Sequence, residues 1–197
     1  MHRFLVRRAG IAAGAAELDA ALTRLRSFEE NPPALAPAVR WLRSYALRET
    51  DGRLGMLCLF EAASAAALAR HAALTHNAAR ETVPLHATAM QRPFAPNRVF
   101  LVRRRRLCTA DAGPASALAR IRDAPELGNR ISRLHSYAVG DDALNLGSWC
   151  LAQAVDADAV LEHAARTALP ADEITPVIGR IVFRDEARLS SLSAHGD

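Results

Sequence analysis

The chain has no lysine. All 25 of its basic positions are arginine, set against 21 acidic residues, for a formal net charge of +4. Surfaces that grip nucleic acid combine clustered cations with interleaved aromatic rings. Aromatic residues make up only 5% of this chain, and its one strong basic run, Arg103-Arg104-Arg105-Arg106, has none between its members. That run reads as the solvated end of a strand, so nucleic acid is not expected as a partner. No run of eighteen apolar residues occurs, which leaves no candidate for a membrane-spanning helix. The start, Met1-His2-Arg3-Phe4, lacks the apolar segment and cleavage site of a secretory signal, and a cytoplasmic location is expected. Cys58, Cys108 and Cys150 are an odd set with no close pair, which fits reduced thiols rather than a disulfide frame. A phosphate-binding glycine loop, a nucleophile elbow, Cys-x-x-Cys and His-Glu-x-x-His are all missing. Any chemistry therefore falls to other polar residues.

What the chain does have is an internal repeat. Val39-Arg-Trp-Leu-Arg-Ser-Tyr45 returns 92 residues later as Ile131-Ser-Arg-Leu-His-Ser-Tyr137. Gly55–Leu59 returns as Gly147–Leu151, and His71-Ala72-Ala73 as His163-Ala164-Ala165. Phe4-Leu5-Val6-Arg7-Arg8 returns as Phe100-Leu101-Val102-Arg103-Arg104, displaced by 96 rather than 92, so a four-residue length difference separates the first and second strands of each copy. A duplication of this kind means that one copy can supply what the other lacks. Cys58 and Cys150 are equivalents, which suits a buried structural slot.

Each copy reads as β-α-β-β-α-β. In the first, strands are expected over Arg3–Arg7, Val39–Leu47, Gly55–Glu61 and Glu81–Met90, the last broken near Pro84. Ala12–Phe28 is a helix, with Leu18, Leu22 and Leu25 on one face. Asn31-Pro32-Pro33 stops it, and Asp51-Gly52 closes a hairpin. Ser64 caps a helix running through Leu74. In the second copy the strands are Arg98–Arg105, Ile131–Val139, Gly147–Gln153 and Ile174–Arg184. A helix is expected over Pro114–Asp123, and another, capped by Asp156, runs to Thr167. Gly140-Asp141-Asp142 turns the hairpin. This is the split ferredoxin-like pattern, with both helices on one face of the sheet. The fold class predicted is α+β: two tandem ferredoxin-like units, residues 1–94 and 95–185, packed sheet to sheet as a barrel-like pair, with a loose tail at 186–197. Alternation along the second strand groups Val39, Trp41, Arg43 and Tyr45 on the face that would meet the twin unit. Their equivalents are Ile131, Arg133, His135 and Tyr137.

Repeated polar positions supply the candidate site residues. His135 can bind a metal or shuttle a proton, whereas its equivalent, Arg43, stays protonated and cannot ligate a cation. His71 and His163 each follow an apolar residue by three positions, beside the apolar stripe of their helices. Tyr45 and Tyr137 can pack a ring and offer a hydroxyl. Asp172 and Glu173 would assist a divalent metal if they came near His135 or His163. His76 and His86 have no equivalents and carry less weight. His2 and His195 are near the ends and read as solvated.

The second copy resembles a small bacterial family first catalogued as a domain of unknown function, which contains nickel-binding ferredoxin-like proteins. The resemblance rests on His135-Ser136-Tyr137, Trp149-Cys150-Leu151, Glu162-His163-Ala164 and Leu169-Pro-Ala-Asp-Glu-Ile174. The first copy carries it through Trp41–Tyr45, Cys58 and His71-Ala72. The resemblance implies a fused dimer and Ni2+ as cofactor, with His135 and His163 as metal ligands. Because Arg43 stands where the motif has histidine, it confines the metal to the second copy. Nickel accepts imidazole nitrogen well, but geometry must select it over copper.

Three functions are thereby expected. The first is non-catalytic binding of a divalent metal, nickel preferred. The second is a small-molecule-binding protein or enzyme of the α+β barrel type, its pocket between the two sheets lined by Arg43, Tyr45, Tyr137 and His135, with His71 as a further ligand-binding candidate. The third is an assembly module whose free sheet edges recruit another copy as a homo-oligomer.

Overall fold

The computed structural model describes residues 1–32, 38–90, 98–107, 116, 119, 130–140 and 146–182. Eight strands are present among them: β1 (His2–Ala12), β2 (Val39–Arg48), β3 (Leu54–Ala62), β4 (Glu81–Met90), β5 (Arg98–Arg104), β6 (Ile131–Val139), β7 (Gly147–Ala154) and β8 (Glu173–Val182). The helices are α1 (Ala15–Glu30), α2 (Ala65–Leu74) and α3 (Ala157–Thr167). Apart from residues 116 and 119, both helical, the expected helix at 114–123 lies outside the described residues, as do Asp141-Asp142 of the second hairpin turn, Cys108, His195 and the tail.

The expectation of two separate ferredoxin-like sheets packed face to face is overturned. The strands form one hydrogen-bonded sheet in the order β1-β3-β2-β8-β5-β7-β6-β4. The physical reason is visible at β4. In two tandem units it would end the first sheet, but it pairs antiparallel with β6, Thr88 opposite Tyr137 and Met90 opposite His135. An edge strand carries unmet backbone donors and acceptors, and pairing with the other copy meets them. Pro84 does not break this strand, which runs on from Glu81 to Met90.

The chain divides into two compact units. The first contains Met1–Ala46, Asp51–Thr82 and the described part of Gly179–Asp197; the second contains Leu47–Thr50 and Val83–Ile178.

In the first unit, β1 and β3 pair with Phe4 opposite Phe60, Val6 opposite Cys58 and Arg8 opposite Met56. Directly opposed residues share a face. Phe4, Val6, Met56, Cys58 and Phe60 form one core with Leu18 and Leu25 of α1 and Leu68 of α2. Leu5 and Leu59, also opposed, point to the other face. Ser64 caps α2 by accepting from the Ala67 N–H at 3.1 Å. The hairpin after β2 turns where Asp-Gly predicts, with Gly52 at φ +83°, a conformation a side chain would strain.

In the second unit, Phe100, Val102, Cys150 and Ala152 pack with Ala159 and Val160 of α3. Asp156 caps α3 by accepting from the Ala159 N–H at 2.7 Å. Gly147 begins β7 where a Cβ would run into the Arg104 carbonyl oxygen, so the strands approach closely only with glycine there. Cys58 and Cys150 are buried free thiols, as their equivalence implies.

The face assignment of the second strand in each copy also needs correction. Trp41 belongs to the helix-side core together with Ala46, and its indole donates to the Ser44 hydroxyl at 2.8 Å. It therefore does not share a face with Arg43 and Tyr45. In β6, Ile131 is likewise in the helix-side core. The register explains why: Arg133 opposes Ala152, but His135 opposes Leu151, so one extra residue is inserted between them. Such a bulge resets the alternation and re-aims every side chain beyond it.

Candidate functional site

The bulge decides what the helix-free face of the second unit presents. Without it, His135 and Tyr137 would follow Ile131 toward the helices. With it, they fall opposite Leu151 and Trp149. Leu151 and Trp149 alternate with Cys150 and Ala152, which face α3, and so point the other way. From β5, Leu101 opposes Leu151 and Arg103 opposes Trp149. From β8, Glu173 opposes Arg103 and Thr175 opposes Leu101. One sheet face thus gathers an imidazole, a phenol, an indole, a guanidinium and a carboxylate.

Their contacts are ordered. The His135 and Tyr137 rings stack with centroids 5.8 Å apart and planes 9° from parallel. The Arg103 guanidinium lies 4.9 Å above the Trp149 ring, a cation–π arrangement. The Thr175 hydroxyl donates to Glu173 Oε1 at 3.2 Å. Leu101, Tyr137, Trp149 and Leu151 are buried, while His135 is half-buried. An imidazole, a guanidinium and two aromatic rings on one face can hold a planar molecule by stacking and charge, and can exchange a proton with it.

The remaining candidates fall elsewhere. His163 lies on α3, buried beside Val160 and Ala164. It approaches the sheet from the helix side, so the sheet separates it from His135. The two proposed metal ligands are not brought together. Among the described residues no group of three or more histidine, cysteine, aspartate or glutamate side chains is placed to hold an ion. A nickel site shared by His135 and His163 therefore does not fit this donor set. Asp172 is committed to the backbone, accepting from the Arg105 N–H at 2.7 Å.

In the first unit, Arg43 donates to the Tyr45 hydroxyl at 3.3 Å, both residues being buried. His71 is fully buried on α2, inside the apolar stripe rather than beside it. The Phe28 ring meets it edge-on at 4.8 Å and the Phe60 ring at 5.4 Å. Burial first, and then the positive charge of Arg8, lower its pKa from 6.5 to about 4. His71 is thus a neutral imidazole on the helix side of its sheet, whereas Arg43 and Tyr45 alternate with Ala46 and face away from that core. His76 is exposed with φ +53°. His86 donates from Nε2 to the Gly140 carbonyl at 2.9 Å.

Sequence reasoning missed Arg103 and Trp149 as members of the site. Their common parity with Leu101 and Leu151 was a usable signal. The basic run is only half a solvated strand end: Arg105 and Arg106 are exposed, Arg103 is half-buried and Arg104 is buried.

No protein-family model matches the chain, and no curated protein matches it. Among solved structures it is similar to a "putative monooxygenase" of Lactobacillus acidophilus NCFM, with 13% identity, 93% of this chain and 100% of that one covered, and a TM-score of 0.46. A protein of the same description from Fusobacterium nucleatum covers 93% of this chain and 98% of its own, with 12% identity and a TM-score of 0.43. An anthrone oxidase-like protein covers 94% of each chain, with 11% identity and a TM-score of 0.42. At these values the likeness carries no argument about activity, and function rests on the residues themselves. Among the described residues no helix is long and apolar enough to cross a membrane.

Proposed function

We propose that this chain binds a small planar organic molecule on the helix-free sheet face of its second unit, with His135 as the group that exchanges a proton with it. The observation that carries the reading is the β6 bulge between Arg133 and His135. A strand gains nothing in pairing from an extra residue. Here the insertion turns a half-buried histidine and a buried tyrosine onto the face that holds Arg103 and Trp149. Bulges that re-aim side chains in this way recur beside binding and catalytic sites. The stacked imidazole and phenol supply a flat wall. Arg103, over the Trp149 ring, supplies a positive charge that favours a phenolate or other weakly acidic group.

A titration with hydroxylated aromatic compounds, followed by tryptophan fluorescence, tests the reading. Trp149 reports on the site, and Trp41 lies on the helix side of the first unit. Quenching should saturate in the wild type. His135→Ala should weaken the affinity about tenfold, the worth of one hydrogen bond to a charged or strongly polar partner. Trp149→Phe should remove most of the signal change. Absence of saturable quenching across the series, or equal affinity in His135→Ala, would refute it. Nickel titrated in parallel tests the metal reading: a His135 contribution that survives His163→Ala would mean that any ion uses one histidine alone.

A further inference from the structure

Among its described residues, the first unit buries a charge that no acid answers. Arg8 is 1% exposed on the helix side of β1, and among the described residues it has no ion pair. Its Nε donates to the Asn77 carbonyl at 3.1 Å, and its guanidinium sits 5.4 Å over the Phe60 ring. Nη1 has no hydrogen-bond partner. Beside it, His71 is fully buried and neither ring nitrogen has a hydrogen-bond partner. Buried guanidinium groups ordinarily carry a carboxylate or another anion, because an uncompensated buried charge is costly. Two such groups left open side by side describe a donor set waiting for an acceptor.

A way in lies next to them. A cavity of 440 Å³ opens between α1 and the C-terminal end of α2. Phe28 and Thr75 line it. Phe28 also meets the His71 ring edge-on at 4.8 Å, and Thr75 donates its hydroxyl to the His71 carbonyl at 2.9 Å. A single half-buried ring thus belongs both to the cavity wall and to the surroundings of His71. Arg24, exposed on α1, also lines the cavity and brings a positive charge to it. The buried, incompletely bonded arginine recurs in the repeat: Arg104, equivalent to Arg8, is 4% exposed with Nε and Nη1 unpartnered.

We propose that the first unit holds a second ligand site for a small aromatic carboxylate, which passes Phe28 from the α1–α2 cavity and places its two oxygens against Arg8 Nη1 and a ring nitrogen of His71. The donor count selects the class. A neutral imidazole donates once, and one guanidinium nitrogen is open, which matches the two oxygens of a carboxylate better than the larger acceptor set of a phosphate. The Phe28 and Phe60 rings suit a flat apolar body. This site is in a different unit from the sheet face of the second unit, and its test reads a different residue.

Benzoate is the probe, with inorganic phosphate beside it, and the signal is the His71 imidazole resonance followed through pH in the whole chain. Benzoate should bind saturably and shift that resonance, and at saturation it should raise the His71 pKa, because a nearby carboxylate favours imidazolium. Arg8→Gln should weaken binding about tenfold or more, as expected for the loss of a charge-assisted contact. Phe28→Ala should preserve the pKa response and lower the barrier to entry, seen as faster exchange between free and bound signals. If Arg8→Gln does not fold, the wild-type pKa comparison with and without benzoate still decides. A His71 pKa unmoved at saturating benzoate overturns the proposal, as does full affinity in a folded Arg8→Gln variant. Phosphate binding in place of benzoate overturns the carboxylate assignment.

Discussion

At the residue scale, the helix-side core of the first unit departs most from an oil-like interior through His71 and Arg8. His71 has a folded-state pKa of about 4 against 6.5 for a free histidine. The shift is downward for a base, so the unfolded chain takes up the proton first as pH falls. The stabilising contribution is complete above pH 6.5 and is lost progressively as pH falls toward 4. The full effect is on the order of 3 kcal/mol. Urea unfolding at pH 7.5 and 4.5 should show the wild type losing much of this, while His71→Leu, of similar volume, should lose less by a comparable margin. An identical pH dependence in both proteins would mean that His71 is not the group responsible. Both residues were partly legible beforehand. Arg8 continues the alternation Phe4, Val6, Arg8, and Arg104 continues Phe100, Val102, Arg104, which places both on the core side. Residue chemistry argued for solvent, and the pattern prevailed. His71 follows Leu68 by three positions, a spacing compatible with one helical face, yet its polar ring argued for a place beside the stripe, and burial within it is the correction.

At the element scale, local signals located the eight described strands and the helices α1, α2 and α3 in their observed order. Ser64 and Asp156 are caps where expected, and β6 spans Ile131–Val139. The bulge inside β6 was not legible, because an inserted residue leaves no mark on composition or on turn chemistry. Only the register against β7 reveals it. Alternation counted straight through the strand therefore put Ile131 with His135, and the same count put Trp41 with Tyr45. Caps offer a cleaner test of element energetics. Asp156→Ala should cost about 1 kcal/mol by leaving the Ala159 N–H unmet. Gly14, the N-cap of α1, has extended φ and ψ, no capping side chain and open space within 4 Å of where a Cβ would stand. Gly14→Ser should consequently raise stability by about 0.5 kcal/mol. Thermal melts of the two variants should move in opposite directions, and a loss in Gly14→Ser would show that α1 starts elsewhere.

At the scale of the whole molecule, the repeat identified two copies but did not determine how their strands pair. Both arrangements use the same β-α-β-β-α-β order, and backbone hydrogen bonds carry no residue code that tells β4 which edge to join. The strand order settles this in favour of one sheet, and the long segment of the second compact unit accordingly begins upstream of the repeat boundary, at Val83. A fragment cut at the repeat boundary, residues 95–182, lacks β4 and leaves an edge of β6 without its partner. A fragment spanning 80–182 retains that pairing. The longer fragment should protect the β6 amides from hydrogen exchange and melt cooperatively. The shorter one should lose that protection and self-associate, because an unpaired strand edge is a template for pairing. Equal protection of β6 in the two fragments would mean that β4 contributes nothing to the second unit and that its pairing with β6 is not what closes that edge.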